Sequence, residues 1–554
     1  MARSWGMSVA VGAVAVAAIG AVIWASSGPG GDADTPVPGP SASASPTELA
    51  PSPSQSASAS AQPTLAPLAW GPTQADWDAA LATARSLTLK EAAGQVVVAA
   101  YAGTSPADLT ALIEKYGLGG VMLQGDATSD QDVVTALTAA AAATGADADW
   151  PVMIAVDQEG GVVARLRGMM PDLPGFMAAG AATDKSMVRQ TYATQGAYVA
   201  ALGFNTNFAP DADVTDGLSD PVIRTRSAGS DPQNVAATVD AAVAGYTDAG
   251  LVTTIKHFPG HGSVDTDSHE GLPVQSAPVA DLEKRDLVPF ASAIDAGAPA
   301  VMMGHIALAE WGGDAATLSP GAYAYLRDDL GFTGVAMTDA MNMGAIIDNH
   351  KAGAATVLAL KAGADMVLMP ADTAAAVSAI IAAVESGDLP RERLDQAAGR
   401  SILLMQWQAG LDAMPIPAGS EDFASKFAAV AATVVTPTCG VPLVGDTVTV
   451  IGGWDYERAA LAGALADRGI GAGTAGEPGS IVQLASDSSE QLRADVVVAV
   501  AGPWVLERAT ATTYIALYGR SADALEGLAE VLVGNAHSGS SWPVKLENVH
   551  AAPC

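Results

Sequence analysis

The sequence predicts an α/β protein, a parallel TIM-type (β/α)8 barrel followed by a smaller C-terminal α/β sandwich domain. Three observations carry that expectation. Between about residues 90 and 410, short apolar runs alternate with Ala-rich helical stretches, the rhythm of βαβ units in a parallel sheet. Eight such runs can be counted: QVVVAAY from Gln95, GGVML from Gly119, VMIAVD from Val152, FNTNFAP from Phe204, TTIKHF from Thr253, AVMMGHI from Ala300, GVAMTD from Gly334 and DMVLMP from Asp365. Ionisable residues end several of them, and a barrel of this kind carries its catalytic groups at the C-terminal ends of its strands.

Taken from the N-terminus, residues 1–27 read as a signal peptide or an uncut signal anchor. Arg3 precedes a weakly apolar run from Met7 to Ala25, a length between a signal h-region and a short membrane span. Cleavage after Ala25 and retention as an N-terminal membrane anchor both stay open, while the lack of a cysteine after the run argues against a lipid anchor. Residues 28–75 are a Pro/Ser/Ala-rich linker, too poor in large apolar side chains to offset the entropy of ordering. Together these segments place the globular part outside the cytoplasm, secreted or tethered to the outer face of the cytoplasmic membrane. The barrel is assigned to residues 76–415 and the second domain to 416–554.

Of the 554 residues 49% are apolar and 15% charged, so most of the chain is expected to fold, and the net charge of −33 excludes sequence-independent binding to nucleic acid. The cysteines are Cys439 and Cys554 alone, which excludes a four-cysteine zinc site and a CxxC redox motif. In an oxidising compartment a disulfide between them closes a loop of about 115 residues, worth roughly 2–4 kcal/mol; in a reducing one both stay as thiols.

Within the barrel, Asp157 with Glu159, Asp211, Lys256 with His257, His305, and Asp339 end or follow different apolar runs. Any one of the acids could simply cap the next helix. Ionisable groups on five strands converging at one rim form a polar pocket instead. Three of the seven histidines fall in KHFPGHGSVDTDSH, Lys256–His269, without an HExxH or paired CxxC spacing, so no metal is expected there.

The motifs VDQEGG (156–161) followed by VARL, NFAPDADV (207–214), IRTRSAGSDP (223–232), KHFPGHG (256–262) with DSH (267–269), and MTDAMNMGAI (337–346) resemble glycoside hydrolase family 3, and within it the bacterial β-N-acetylglucosaminidase branch. The resemblance spans about residues 77–410. It implies a retaining exo-β-N-acetylglucosaminidase with Asp339 as nucleophile and His269, oriented by Asp267, as acid/base. A neutral imidazole titrates near operating pH, and a neighbouring carboxylate stabilises its charged form. The same mapping makes Lys256, His257, Arg226 and Asp157 substrate ligands, with Asp211 counted among them; between Asp211 and Asp213 the choice of which lines the pocket and which is a structural cap stays open. Gly260 and Gly262 are expected to act as hinges of a closing loop, and His261 to belong to the loop's own structure.

The implied substrates are carbohydrates carrying terminal N-acetylglucosamine, from peptidoglycan fragments or chitooligosaccharides, with no metal or organic cofactor. A family 3 β-glucosidase, an N-acetylglucosaminide phosphorylase and a catalytically silent wall-binding protein are the alternatives. The sequence departs from the branch at Val162 and Ser263, in place of arginine and aspartate, and at Ala228, in place of an aromatic beside the pocket. The C-terminal runs TVTVIGG, SIVQLAS and DVVVAVAGP suggest a small α/β domain without an acid cluster, and GGWDYERAALAGAL lacks the spacing of a nucleotide loop. Oligomeric state is left open by the sequence.

Overall fold

The computed structural model describes residues 68–146, 148–474, 479–486, 492–536, 539–549 and 553–554. The signal segment and residues 28–67 of the linker lie outside the described residues. Residues 68–75, assigned above to the linker, belong to the fold. Trp70 is 5% exposed, with its ring edge-on to Trp407 at 5.5 Å, and Thr73 caps the helix Gln74–Ser86 through a reciprocal capping box with Asp76. A single buried tryptophan outweighs the polar composition around it.

Eight strands form the barrel: β1 Val97–Tyr101, β2 Gly120–Leu123, β3 Met153–Val156, β4 Thr206–Asn207, β5 Val252–Phe258, β6 Ala300–Met303, β7 Val335–Thr338 and β8 Val367–Leu368. Their order is β7-β6-β5-β4-β3-β2-β1-β8, with every pairing parallel. A parallel bridge between Met337 and Met366 brings the two ends together, helped by Leu368 N–H donating to Thr338 Oγ1 at 2.9 Å. Each of the eight apolar runs holds one of these strands. Two are much shorter than their runs. In FNTNFAP, the Asn205 and Asn207 side chains bond the main chain of Val152, Ile154 and Gln158 at 2.8–2.9 Å, taking the place of ladder bonds. In DMVLMP, Asp365 N–H donates to Ala336 O of β7 at 2.7 Å, while its side chain takes the Ala336 N–H at 3.1 Å and pairs with Arg327, Arg393 and Arg400, which satisfy an otherwise costly buried carboxylate.

The second domain has strands β9 Thr433–Val435, β10 Thr447–Gly452, β11 Gly471–Ala472, β12 Ser480–Ala485, β13 Leu492–Ala499 and β14 Ala509–Ala516, in the order β9-β14-β13-β12-β10-β11. Only β9 runs antiparallel to its neighbour. The sheet alternates its faces. Val496 and Val498 of β13 join a core with Leu461, Leu465, Leu525 and Leu528 of the covering helices, whereas Val497 and Ala499 join the core shared with the barrel. Strand β14 escapes the sequence reading because ATATTYIA is small and polar, and its N-terminal half is only partly buried. Cys439 and Cys554 are joined as a disulfide, and Cys554 N–H donates to Val434 O at 2.8 Å. Among the described residues no helix is long and apolar enough to cross a membrane.

Candidate active site

A cavity of about 290 Å³ opens at the C-terminal ends of the barrel strands, lined among others by Asp157, Glu159, Arg165, Arg226, Lys256, His257, His269 and Asp339. The register of β5 against β6 shifts between Ile255 and Phe258, in the part of the strand where consecutive residues Lys256 and His257 both line the cavity. Lys256 is 3% exposed and lies 2.9 Å from Asp157 Oδ1 and 2.6 Å from Glu159 Oε1. Burial lowers the Lys256 pKa, but Asp157 and Glu159 outweigh it, and the ammonium is held charged.

Glu159, noticed in the sequence only as a strand-end neighbour of Asp157, is the node of this array. Besides Lys256 it takes a bidentate bond from Arg226 at 2.9 and 3.0 Å. Burial alone pushes its carboxyl up, yet Arg226 and Lys256 bring it down to about 2. Its role could have been read from charge balance, since two buried cations on neighbouring loops need a shared anion.

His257 Nδ1 lies 2.7 Å from Asp213 Oδ2 and its Nε2 lies 3.4 Å from Arg226 Nη2. Those partners assign the tautomer that donates from Nδ1, and burial followed by Arg226 lowers the pKa while Asp339 and Asp211 raise it. Asp213 also accepts the main-chain N–H groups of His257 and His261 at 3.2 and 2.6 Å. Burial raises its pKa to about 7 and raises that of Asp211, beside it, well above the usual range.

Asp211, expected among the substrate ligands, is 1% exposed and is not among the residues lining the cavity; it stands behind Arg226 (3.5 Å) and His257 (3.8 Å). Asp211, Asp213 and His257 have ligand atoms within 4.8 Å of one another, a set that could hold a cation. Arg226 beside Asp211 and the His257–Asp213 bond already supply the charge and the donors that a metal would.

Asp339 follows β7 and is 8% exposed, with Oδ1 accepting from Ala340 N–H at 2.7 Å. Burial raises its pKa, but His257, His305, the Ala340 N–H and Lys256 together bring it below the ordinary aspartate value. It is therefore an ionised carboxylate in a largely dry wall. His305, fully buried, fixes the turn after it: Nε2 bonds Ala340 O at 2.9 Å and Nδ1 meets Thr317 Oγ1 at 2.8 Å.

His269 lies on the exposed part of the loop after β5, its side chain 65% exposed, with Nδ1 2.8 Å from Asp267 Oδ1 and Nε2 left for other partners. Main-chain bonds from Gly344 N–H to His269 O and from Ala345 N–H to Ser268 O, at 3.2 and 3.1 Å, tie this loop to the segment that follows Asp339. A Cβ at Gly344 would stand 2.5 Å from His269 O, so glycine is what allows the approach. Gly260 and Gly262, expected as hinges, are both buried and closely packed here: a Cβ at Gly260 would stand 2.7 Å from Asp286 and one at Gly262 2.4 Å from Val214 O. His261, expected to belong to the loop's own structure, bonds within it, Nε2 3.0 Å from Ser268 Oγ, but also lines the cavity, and burial lowers its pKa to about 4.

The departures from the motif pattern resolve into three situations. Val162 stands 68% exposed on the turn after Glu159, while Arg165, three residues on, lines the cavity. Ser263 accepts a bond from Gln275 at 2.8 Å. Ala228 is fully buried against helix Phe176–Ala181, where a Cβ on Gly180 would lie 1.6 Å from Ala228 O, so that position does not face the cavity.

A barrel rim that concentrates two ionised buried carboxylates, Glu159 and Asp339, a histidine–aspartate pair and a set of clamped donors and acceptors fits a hydrolase for polyhydroxylated, glycoside-type substrates. Residues 88–404 match the model of the glycosyl hydrolase family 3 N terminal domain, and the chain belongs to that family. It is similar to beta-hexosaminidase A of Pseudoalteromonas piscicida, 35% identical over 289 residues, an alignment that covers 48% of each protein. Beta-hexosaminidase LpqI of Mycobacterium tuberculosis is 34% identical over 304 residues, 53% of this chain and 77% of that one. A solved glycoside hydrolase family 3 β-N-acetylglucosaminidase from a Paenibacillus species superposes with a TM-score of 0.73 at 28% identity, covering 84% of this chain and 100% of that one.

Proposed function

We infer that the protein is a retaining exo-β-N-acetylglucosaminidase that removes terminal non-reducing N-acetylglucosamine from peptidoglycan fragments or chitooligosaccharides. The observation that carries this reading is a single cavity lined by both Asp339 and His269, with Asp267 behind the imidazole. Lys256, Arg226 and Asp157 hold the sugar hydroxyls, the cations as donors and the carboxylate as acceptor, with His257 beside them on the cavity wall.

Asp339 attacks C1 and forms a covalent glycosyl-enzyme as the glycosidic C–O bond breaks. His269 gives its Nε2 proton to the departing oxygen. In the second half His269 takes a proton from water, whose oxygen attacks C1 and returns Asp339 as a carboxylate. Asp267 holds Nδ1–H throughout and stabilises the imidazolium when it forms. An export-type N-terminus and tether support a site of action outside the cytoplasmic membrane.

The test is a 5-fluoro N-acetylglucosaminyl trap followed by peptide mass mapping, run with and without inorganic phosphate. A sugar adduct on Asp339 and free N-acetylglucosamine as product are expected. An unlabelled Asp339 refutes the nucleophile, and a sugar 1-phosphate as the main product replaces hydrolysis by phosphorolysis.

A further inference from the structure

The turn after β10 and the first turn of the helix Asp455–Asp467 that follows it take no part in the chemistry above, yet they present two large rings to solvent. Trp454 is 58% exposed and Tyr456 49%, with ring centroids 5.6 Å apart and planes at 60°. Beneath them Glu457 is wholly buried, and its carboxylate is spent on holding them. It accepts from Trp454 N–H at 2.7 Å, from Tyr456 O–H at 3.3 Å and from Arg520 Nε at 2.6 Å.

Arg520 lies 3.8 Å from the Trp454 ring centroid and covers one of its faces. Gly452 and Gly453 both have left-handed φ, 67° and 60°, and a Cβ on Gly452 would stand 2.3 Å from Leu484 O. The loop is thus fixed from below. A buried carboxylate is costly unless fully bonded, and here the bonds go to the Trp454 main-chain N–H, as a helix cap, to the Tyr456 hydroxyl and to Arg520, so the segment that carries the two exposed rings is held in place. Burying the rings would have been the cheaper use of the same residues, so their rigid exposure points to a ligand.

Flat apolar rings with polar groups at their edges suit the C–H face of a pyranose, whose hydroxyls lie around its perimeter. Asp455, between the two rings in sequence, has a side chain 97% exposed, and Arg520 leaves one face of the Trp454 ring for a ligand. A formal charge of −33 disfavours polyanions and anionic membranes as occupants. The loop is also connected to the cavity wall. Ser521, next to Arg520, bonds Asp172 O at 3.0 Å, Asp523 accepts from Asp172 N–H at 2.8 Å, and Asp172 pairs with Arg167, two residues from the cavity-lining Arg165.

We propose that Trp454 and Tyr456 form a stacking platform for a neutral β-linked glycan chain, the part of the substrate that extends out of the cavity beyond the sugar being removed. This rests on the glycosidase reading. Binding of a β-1,4-linked N-acetylglucosamine hexasaccharide is measured calorimetrically on the full chain carrying Asp339→Asn, alone and with Trp454→Ala or Tyr456→Ala. Each ring loss is expected to weaken the hexasaccharide by roughly tenfold while leaving monomeric N-acetylglucosamine unchanged. Trp454→Phe should retain most of the affinity, which separates stacking from a folding defect.

In the active background, kcat/KM on an aryl N-acetylglucosaminide should be unaffected by Trp454→Ala and that on the hexasaccharide should fall. Undiminished hexasaccharide affinity in both alanine variants overturns the platform, as does a Trp454→Ala variant that merely splits a dimer in size-exclusion light scattering. A parent enzyme inactive on the aryl substrate sinks the functional reading; an active parent with indifferent ring variants sinks the platform alone.

Discussion

The barrel and the C-terminal domain use the same alternation of strand and helix and end their strands in opposite chemistry. At the barrel rim, strands or the loops after them carry Glu159, Lys256 with His257, and Asp339, which line one cavity. In the second domain β13 runs on to Gly502, Pro503 and Trp504, and β14 to Leu517, Tyr518 and Gly519. These ends pack on barrel loops: Gly175 N–H donates to Tyr518 O at 2.8 Å, and Arg224 stacks over Trp504 at 5.3 Å. One set of strand ends is arranged to meet a substrate and the other to brace the loops that do so. Chemistry here depends on what terminates a strand, and the shared architecture leaves that free.

Substitutions break this contrast at graded strength. Asp339→Ala should lower turnover of an aryl N-acetylglucosaminide by roughly 10⁴-fold or more; wild-type rates would remove the nucleophile from the barrel rim. For His269→Ala the expected loss is roughly 10²–10⁴-fold on substrates with poor leaving groups and much less on activated aryl glycosides. Equal losses on both would count against proton donation.

Glu159→Ala leaves Arg226 and Lys256 buried without their shared anion and should cost about 3–5 kcal/mol in denaturant melts. A melt unchanged from wild type would show that Asp157 and Asp211 already suffice. Opening the Cys439–Cys554 bridge with paired serines should remove about 2–4 kcal/mol, since it closes a long loop, without altering kcat. A kcat that drops with the bridge would make the second domain part of the chemistry.

A finer probe is Gly229→Ala, three residues from Arg226. Its Cβ would stand 2.3 Å from Pro543 O in the C-terminal tail, at a φ of 147°. We expect KM to rise by several-fold, about 1 kcal/mol of lost binding, with kcat nearly kept. Unchanged KM would show that the tail does not set the Arg226 loop.

The smallest effect is in pH. Ionised Asp339 is the active form and its pKa is lowered, so the acidic limb of kcat/KM should fall below the ordinary aspartate value of about 3.9. A limb above pH 4 on an activated aryl substrate would contradict that sign.

The eight apolar runs, the strand-end placement of Lys256, His257 and Asp339, and the adjacency of Asp267 and His269 were all legible along the chain, because β-periodicity and short-range spacing are local properties. Strand β14 was not, since its stability comes from neighbours and not from its own hydrophobicity. Trp70 was lost within a Pro-rich stretch for the same reason: its partner, Trp407, lies more than three hundred residues away. The roles of Glu159, Asp211 and the glycines likewise depended on distant groups.

By itself the sequence determined which chemical groups this protein owns and that a parallel barrel would carry them to one rim. Only the tertiary structure decided which carboxylate touches the cavity and which stands behind it, that Gly260 and Gly262 are packed and Gly344 is the close contact, and that Glu457 clamps two exposed rings. The physical reason is that burial, charge pairing and steric fit are set by atoms far apart in the chain, and the cost of an unpaired buried charge is fixed only when its partners arrive.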